Sequence, residues 1–295
     1  MSETPRRIAF FGTGQMGAPM IARLAAAGHD VRAWNRTADK ARAIEGPNVA
    51  AVSDPRDAAE NADIAISMLT DGPAVMVLVE ENGLAGALAD GAVFVDMSSA
   101  KPEEARALAA MLGEGGVSFC DAPVSGGPSG AEEGTLAIMA GCDEAVFETV
   151  RPVLAAMGRP VRLGPVGAGQ LAKLANQLIV GAAIGAVAEA MLLIETGGAD
   201  AAAFRDALTG GFADSKVLQL HGARMAERDF APRGRATLHL KDMNNILAEA
   251  EKLGLDLPMS REIGARFARL CNELGGGGLD HAALFLELLE RNGKG

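Results

Sequence analysis

Residues 7–20 read RIAFFGTGQMGAPM, and this stretch decides how the first half of the chain is organised. RIAFF is a short β-branched and aromatic run that stops at Gly12, whereas APMIARLAAAG, from Ala18, has helical spacing. Between them Gly12, Gly14 and Gly17 form a G-x-G-x-x-G loop, with Gln15 and Met16 filling the turn. The first glycine permits the tight turn, the second lets backbone approach a pyrophosphate, and the third lets helix and strand lie close. The helix start then offers unpaired N–H groups and a partial positive charge to phosphates. Pro19 is tolerable there, because first-turn N–H groups have no intrahelical partners. A bare structural turn is the alternative, but the strand, loop and helix context predicts a dinucleotide site.

Working outward, short β-rich runs alternate with alanine-rich helical stretches as far as about residue 164: DVRAW, VAAV, DIAISM, AVFVDM, VSFCD, TLAIMA and PVRLG. Such alternation predicts an α/β Rossmann unit, a doubly wound and largely parallel sheet covered on both faces. After GPVGAG only helical segments follow, at roughly 168–196, 199–208, 215–226, 238–252, 258–274 and 281–291. The expected division is therefore a dinucleotide-binding domain over 1–166 and an all-helical domain over 167–295 with one long central helix. GGGG at 275–278 reads as a mobile connector. The segment from Ala168 is apolar around its circumference, which predicts burial on all sides. Gly181 and Gly185 would let another helix approach, either within the chain or from a second subunit.

The 295 residues are 49% hydrophobic and carry 27 Lys+Arg against 38 Asp+Glu, a formal net charge of −11. That field repels phosphate backbones, so neither nucleic acid nor an anionic membrane surface is an expected partner. Cys120, Cys142 and Cys271 are odd in number and widely spaced, and read as reduced core thiols of a cytoplasmic protein. The run IAFF is too short for a signal or membrane segment. His29, His221, His239 and His281 lack metal-ligand spacing, so no metal is expected; Asp280 before His281, like Asp214 with Ser215, reads as a helix start.

The second strand ends in WNRT, Trp34 to Thr37. An acid at this point commonly holds the ribose 2′-OH of NAD, but here Asn35 repels no 2′-phosphate, and Arg36 and Thr37 can donate to one. Arg32, Arg36, Lys40 and Arg42 face only Asp39 nearby. NADP(H) is therefore expected over NAD(H). Further on, DAPVSGG presents Ser125, Gly126 and Gly127, a hydroxyl and accessible backbone N–H groups that suit a carboxylate. In GQLAKLANQ, Lys173 is the only charged residue between Arg162 and Glu189. Lys173, Asn176 and Gln177 share a helix face, with Gly169 keeping that face open one turn earlier. A snorkelling surface lysine is the ordinary reading; on so apolar a segment a functional ammonium is the better one.

The ordered set GTGQMGAPM, DAPVSGG…GTLAIMAG, GAGQLAKLANQ and LHLKD resembles the β-hydroxyacid dehydrogenases over essentially the whole chain. The resemblance implies hydride transfer between a nicotinamide cofactor and a small β-hydroxyacid or its semialdehyde. It implies Lys173 as the catalytic residue, Ser125, Gly126, Gly127, Asn176 and Gln177 around the substrate, and Met68, Leu69, Ser99 and Lys241 beside the cofactor. Lys241 by itself reads equally well as a solvated partner of nearby acids. KLANQLIV, GGFADSKVL and LHLKDMNN lean toward the tartronate semialdehyde branch, with 3-hydroxyisobutyrate or glyoxylate and succinic semialdehyde chemistry as alternatives. Gln177 stands where many members have a second Asn, and Cys142 where many have Gly. A homodimer or homotetramer is expected; a non-catalytic cofactor-binding scaffold is the competing reading.

Overall fold

The computed structural model describes residues 5–294. The chain divides into two compact units, one ending at Lys173 and the other beginning at Leu174. This point lies seven residues beyond the loop where the sequence pattern changes, inside the first turns of the helix Ala168–Thr196.

The first unit is a Rossmann domain. Its strands are β1 (Arg7–Phe11), β2 (Asp30–Trp34), β3 (Val49–Ala51), β4 (Ile64–Ser67), β5 (Val93–Asp96), β6 (Ser118–Asp121), β7 (Val124–Ser125), β8 (Leu136–Gly141) and β9 (Gly158–Gly164). They lie in the order β3-β2-β1-β4-β5-β6-β8-β7, with β9 also paired to β8. From β3 to β6 every pairing is parallel, whereas β6 and β7 meet β8 antiparallel. Alternate residues enter different cores: Ile8, Phe10, Ile64, Ile66, Val93 and Val95 on one face, Ala9, Phe11, Ala65 and Phe94 on the other. Both faces are covered, which is why these strands read as continuous apolar runs. The two-residue β7 has no signature in the sequence.

The second unit is all-helical: the continuation of Ala168–Thr196, then Ala201–Leu208, Lys216–Glu227, Ala236–Lys252, Pro258–Asn272 and Leu284–Arg291. Ser215 caps its helix by accepting from Leu218 N–H at 3.0 Å, and Asp280 accepts from Ala282 N–H at 3.1 Å. Two expectations need correction. The long helix has the length and composition of a membrane span, yet only 33% of its most apolar window is buried within the chain, and Ile179 and Leu193 are 66% and 74% exposed. Its Gly181 and Gly185 face His239 and Ile263 of the same chain, where a Cβ would come within 2.5 Å. Nor is the glycine run a mobile connector. Gly276–Gly278 form a 3-10 turn, and a Cβ on Gly276 or Gly277 would meet Leu270 at 2.5 Å or Thr237 at 2.8 Å.

Charges buried in this unit were not legible in the sequence. Glu287 is fully buried and accepts from Arg266 Nε at 3.0 Å, Arg269 Nη1 at 2.9 Å and Arg291 Nε at 3.0 Å. Burial alone would raise its pKa, but the arginines overcome this and hold it below the ordinary value. His221, Asp280 and His281 also converge, with ligand-type atoms within 4.8 Å of one another. The Arg224 guanidinium lies 3.1 Å from Asp280 Oδ1 and 3.4 Å from His221 Nδ1, so the cluster already has its own cation. Burial, reinforced by His221, pushes His281 down to about 4, although Asp280 opposes the shift.

Glu287→Gln leaves those arginines without their carboxylate and should cost roughly 3 kcal/mol in chemical denaturation. His281 stays neutral in the fold but takes a proton near pH 6.5 once unfolded. Its contribution to stability is therefore complete above that value and declines as pH falls toward 4, by on the order of 2–3 kcal/mol. An NMR titration in which the His281 ring changes charge near pH 6.5 in the native protein would contradict this.

Candidate functional site

Two of the loop's glycines follow from backbone packing. Gly12 has φ +106°, and a Cβ there would sit 2.3 Å from Met68 O; one on Gly17 would sit 1.8 Å from Gly12 O. Both glycines are demanded by the fold itself. Gly14 differs: nothing lies within 4 Å of its absent Cβ, so the space above it suits an approaching ligand. Thr13 Oγ1 is buried and has no hydrogen-bond partner, a second feature that fits a bound polar group. Gln15 is exposed and Met16 half-buried on the same turn.

Asn35 Oδ1 accepts from Thr13 N–H at 3.1 Å, and its Nδ2 donates to Thr37 O at 3.0 Å. The carboxamide thus braces the glycine loop, a role the sequence reading did not foresee. Of the four basic residues near it, Arg32 donates to Asp57 O and Arg42 pairs with Asp39. Arg36 and Lys40 are exposed, as is Thr37. The strand order reverses between β1 and β4, the usual ligand crevice of an open α/β sheet, and the glycine loop follows β1 at that point.

The loops after β4 and β5 are set by buried polar groups. Asp96 Oδ1 accepts from Ser67 Oγ at 2.8 Å and Ser98 N–H at 2.9 Å, and Ser98 Oγ accepts from Leu69 N–H at 2.9 Å. Burial pushes Asp96 up to about 6, against the pull of its serine donors. Met68, Leu69 and Ser99, all half-buried, are carried on these loops. Gln170, fully buried, reaches the same place: Nε2 donates to Ser98 O at 2.8 Å, and Oε1 accepts from Ala100 N–H at 3.0 Å.

On the neighbouring strand, Asp121 accepts from Gly167 N–H at 2.7 Å and Gln170 N–H at 2.8 Å. Burial raises its pKa, while those donors hold it back. This carboxylate fixes the start of the helix that bears Lys173. Gly169 has a different task from the one its spacing suggested. It does not open the lysine face, because a Cβ would sit 2.3 Å from Met139 O and 2.5 Å from Asp121 O; its bareness seats the helix on the strands.

Lys173 is half-buried, and its Nζ donates to Val124 O at 2.8 Å. The ammonium is thus held at the residue preceding Ser125, Gly126 and Gly127. Gly126 has φ +144° and Gly127 φ +66°, conformations that favour glycine, and both are exposed beside half-buried Ser125. The first-turn N–H groups of Gly127–Glu133 begin at this point.

One turn along the lysine helix, Asn176 Nδ2 donates to Gln177 Oε1 at 2.8 Å, and Gln177 Nε2 to Asp242 Oδ2 at 2.7 Å. Lys241 Nζ lies 3.9 Å from Asp242 Oδ1. Asp96, Asp121, Gln170 and Asp242 were all missed in the sequence. The available signal was that VFVD and SFCD each end an apolar run on Asp, at neighbouring strand ends.

Known proteins resemble the chain over nearly its whole length. Residues 7–173 match the family profile of the NAD binding domain of 6-phosphogluconate dehydrogenase. Residues 167–288 match that described as NAD-binding of NADP-dependent 3-hydroxyisobutyrate dehydrogenase. The 2-hydroxy-3-oxopropionate reductase of Escherichia coli (strain K12) is 43% identical, covering 96% of this chain and 98% of its own. Among solved structures, Mycobacterium tuberculosis 3-hydroxyisobutyrate dehydrogenase with L-serine superposes with a TM-score of 0.87 at 31% identity, over 97% of this chain and 99% of that one. The 3-hydroxyisobutyrate dehydrogenase of Salmonella typhimurium gives 0.85 at 27% identity, over 95% and 98%. The fold, the glycine loop and these relatives together identify the chain as a member of the β-hydroxyacid dehydrogenase family of oxidoreductases.

Proposed function

We propose that the protein is an NADP(H)-preferring semialdehyde reductase of the 2-hydroxy-3-oxopropionate type. The observation that carries this reading is the Lys173 ammonium held on Val124 O at 2.8 Å, one residue before the Ser125, Gly126 and Gly127 cradle. An aldehyde whose carboxylate lies in that cradle presents its oxygen to the ammonium. The E. coli relative adds support for the substrate class through its name and 43% identity.

A nicotinamide dinucleotide held at the glycine loop would supply the hydride that reduces the carbonyl carbon. Ser125 Oγ and the N–H groups of the glycines hold the carboxylate, which fixes the carbonyl carbon. Lys173 stabilises the negative charge developing on the oxygen and passes a proton from Nζ to it, so aldehyde becomes alcohol. In the reverse direction neutral Lys173 takes the hydroxyl proton. Asn176 and Gln177, on the next turn, supply amide groups that orient the substrate oxygens. Gly12, Gly14, Gln15, Met16 and Gly17 would hold the pyrophosphate, with Met68, Leu69 and Ser99 beside the nicotinamide half. Arg36 and Thr37, exposed after the second strand, receive the 2′-phosphate, with Asn35 bracing the loop.

Lys173→Ala should lower kcat roughly a thousandfold while leaving NADPH affinity, read by fluorescence titration, unchanged. Retained turnover would remove the lysine from the chemistry. Arg36→Ala should raise KM for NADPH roughly tenfold and leave KM for NADH nearly constant. Both assays use tartronate, succinic and methylmalonate semialdehydes and glyoxylate with each cofactor, and failure to reduce any of them defeats the proposal.

A further inference from the structure

Two of the three cysteines face one another across the strands that position the lysine helix. Ser125↔Ala137 and Val124↔Ile138 on β7 and Asp121↔Gly141 on β6 keep one antiparallel register, and one further step sets Cys120 opposite Cys142. Met139 N–H donates to Pro123 O at 3.0 Å, which marks that pair as hydrogen-bonded. Counting along the ladder, Cys120 and Cys142 form a non-hydrogen-bonded pair, whose Cα atoms stand about 4.5 Å apart. That lies within the span a disulfide bridges. Both side chains enter the same core cluster, and the Cys120 thiol donates to Asp121 O at 3.8 Å.

The two thiols are not equivalent. The neighbouring Cys120 thiol lowers the pKa of Cys142 against the effect of burial, and Arg162 adds to the lowering. Cys120 is raised by the same contact and by burial. Arg162 Nε also donates to Cys142 O at 2.8 Å. Both cysteines are buried, but Cys142 directly follows β8 and its N–H donates to Gly164 O at 3.0 Å on β9, most of whose residues are solvent-exposed.

We propose that Cys120 and Cys142 are a redox-active dithiol whose oxidation by a peroxide closes a cross-strand disulfide and slows the enzyme. The Cys142 thiolate attacks a peroxide oxygen, an S–O bond replaces the O–O bond, and hydroxide leaves with a proton as water. Cys120 sulfur then attacks Cys142 sulfur, gives up its proton, and expels the second oxygen as water. Two thiols and one hydrogen peroxide become one disulfide and two waters.

The consequence follows from the next residue on each strand. Closing the bond draws the sulfurs to about 2.05 Å, and the backbone alongside has no slack. A Cβ on Gly141 would sit 2.6 Å from both Asp121 Oδ1 and Gly169 N. Strand movement is therefore passed to Asp121 and to the turn it holds through Gly167 and Gln170, one turn before Lys173. A displacement near 1 Å at a reacting group costs up to about a hundredfold in rate.

The test uses the full-length protein with bound NADP+, carrying Cys271→Ser so that the third thiol does not contribute, incubated with excess hydrogen peroxide. Peptide mapping should find a Cys120–Cys142 cross-link that dithiothreitol reverses. A sulfenic or sulfinic acid at either cysteine without the cross-link, or both thiols unreacted, overturns the proposal. Turnover should fall at least roughly tenfold on oxidation and return on reduction. Cys142→Ala and, independently, Cys120→Ala should keep the basal rate and lose the sensitivity. A cross-linked enzyme with full turnover overturns the regulatory part. The cross-link readout is independent of the proposed substrate; only the turnover readout rests on it.

Discussion

The carboxylate of Asp121 carries a burden out of proportion to its size. It sits at the end of β6 with no exposure to solvent, and accepts the Gly167 and Gln170 N–H groups at the start of the long helix. A helix start carries a partial positive charge, so the anion is favoured there in a setting that otherwise penalises it. Through that contact the sheet dictates where the helix begins. Gln170 then returns to Ser98 and Ala100, so the same turn also fixes the loop after β5. The lysine and the loops over the glycine motif are thereby positioned by one polar joint.

Close backbone approach is the other half of that joint. Gly141 and Gly169 face each other so closely that a Cβ on either would lie within 2.6 Å of backbone atoms. No side chain is small enough, and the helix can approach β6 and β8 only because both positions are bare. This explains why a glycine sits in an otherwise helix-favouring stretch, where it costs stability relative to alanine. The sequence reading assigned the bareness of Gly169 to the lysine face; the geometry assigns it to the seat.

How much was legible depends on whether the signal was local. Strands from β1 to β6 were legible because burial on both faces leaves unbroken apolar runs, and the glycine loop because its spacing has a backbone reason. Lys173 stood out as a charge with no charged neighbours. What could not be read is pairing at a distance. Glu287 looks like any charge on an amphipathic helix until Arg266, Arg269 and Arg291 are brought to it. Asp96 and Asp121 look like strand-end polar residues until their register is known. The glycine run at 275–278 has the composition of a linker, yet packing by Leu270 and Thr237 makes it a tight turn.

The long helix shows the limit of a composition argument. A segment with a single lysine among so many apolar residues suggests complete burial, and the structure leaves Ile179 and Leu193 open. Apolar character on every side is a statement about what the helix tolerates, not about what covers it within one chain. The lysine obeys the same distinction. Its surroundings are apolar by composition, but its Nζ has a backbone carbonyl to donate to, so the ammonium is not stranded in hydrocarbon. A half-buried ammonium held on a carbonyl has a fixed position without being cut off from its surroundings. That fixed position, more than low polarity, is what the helix and β7 together give the lysine.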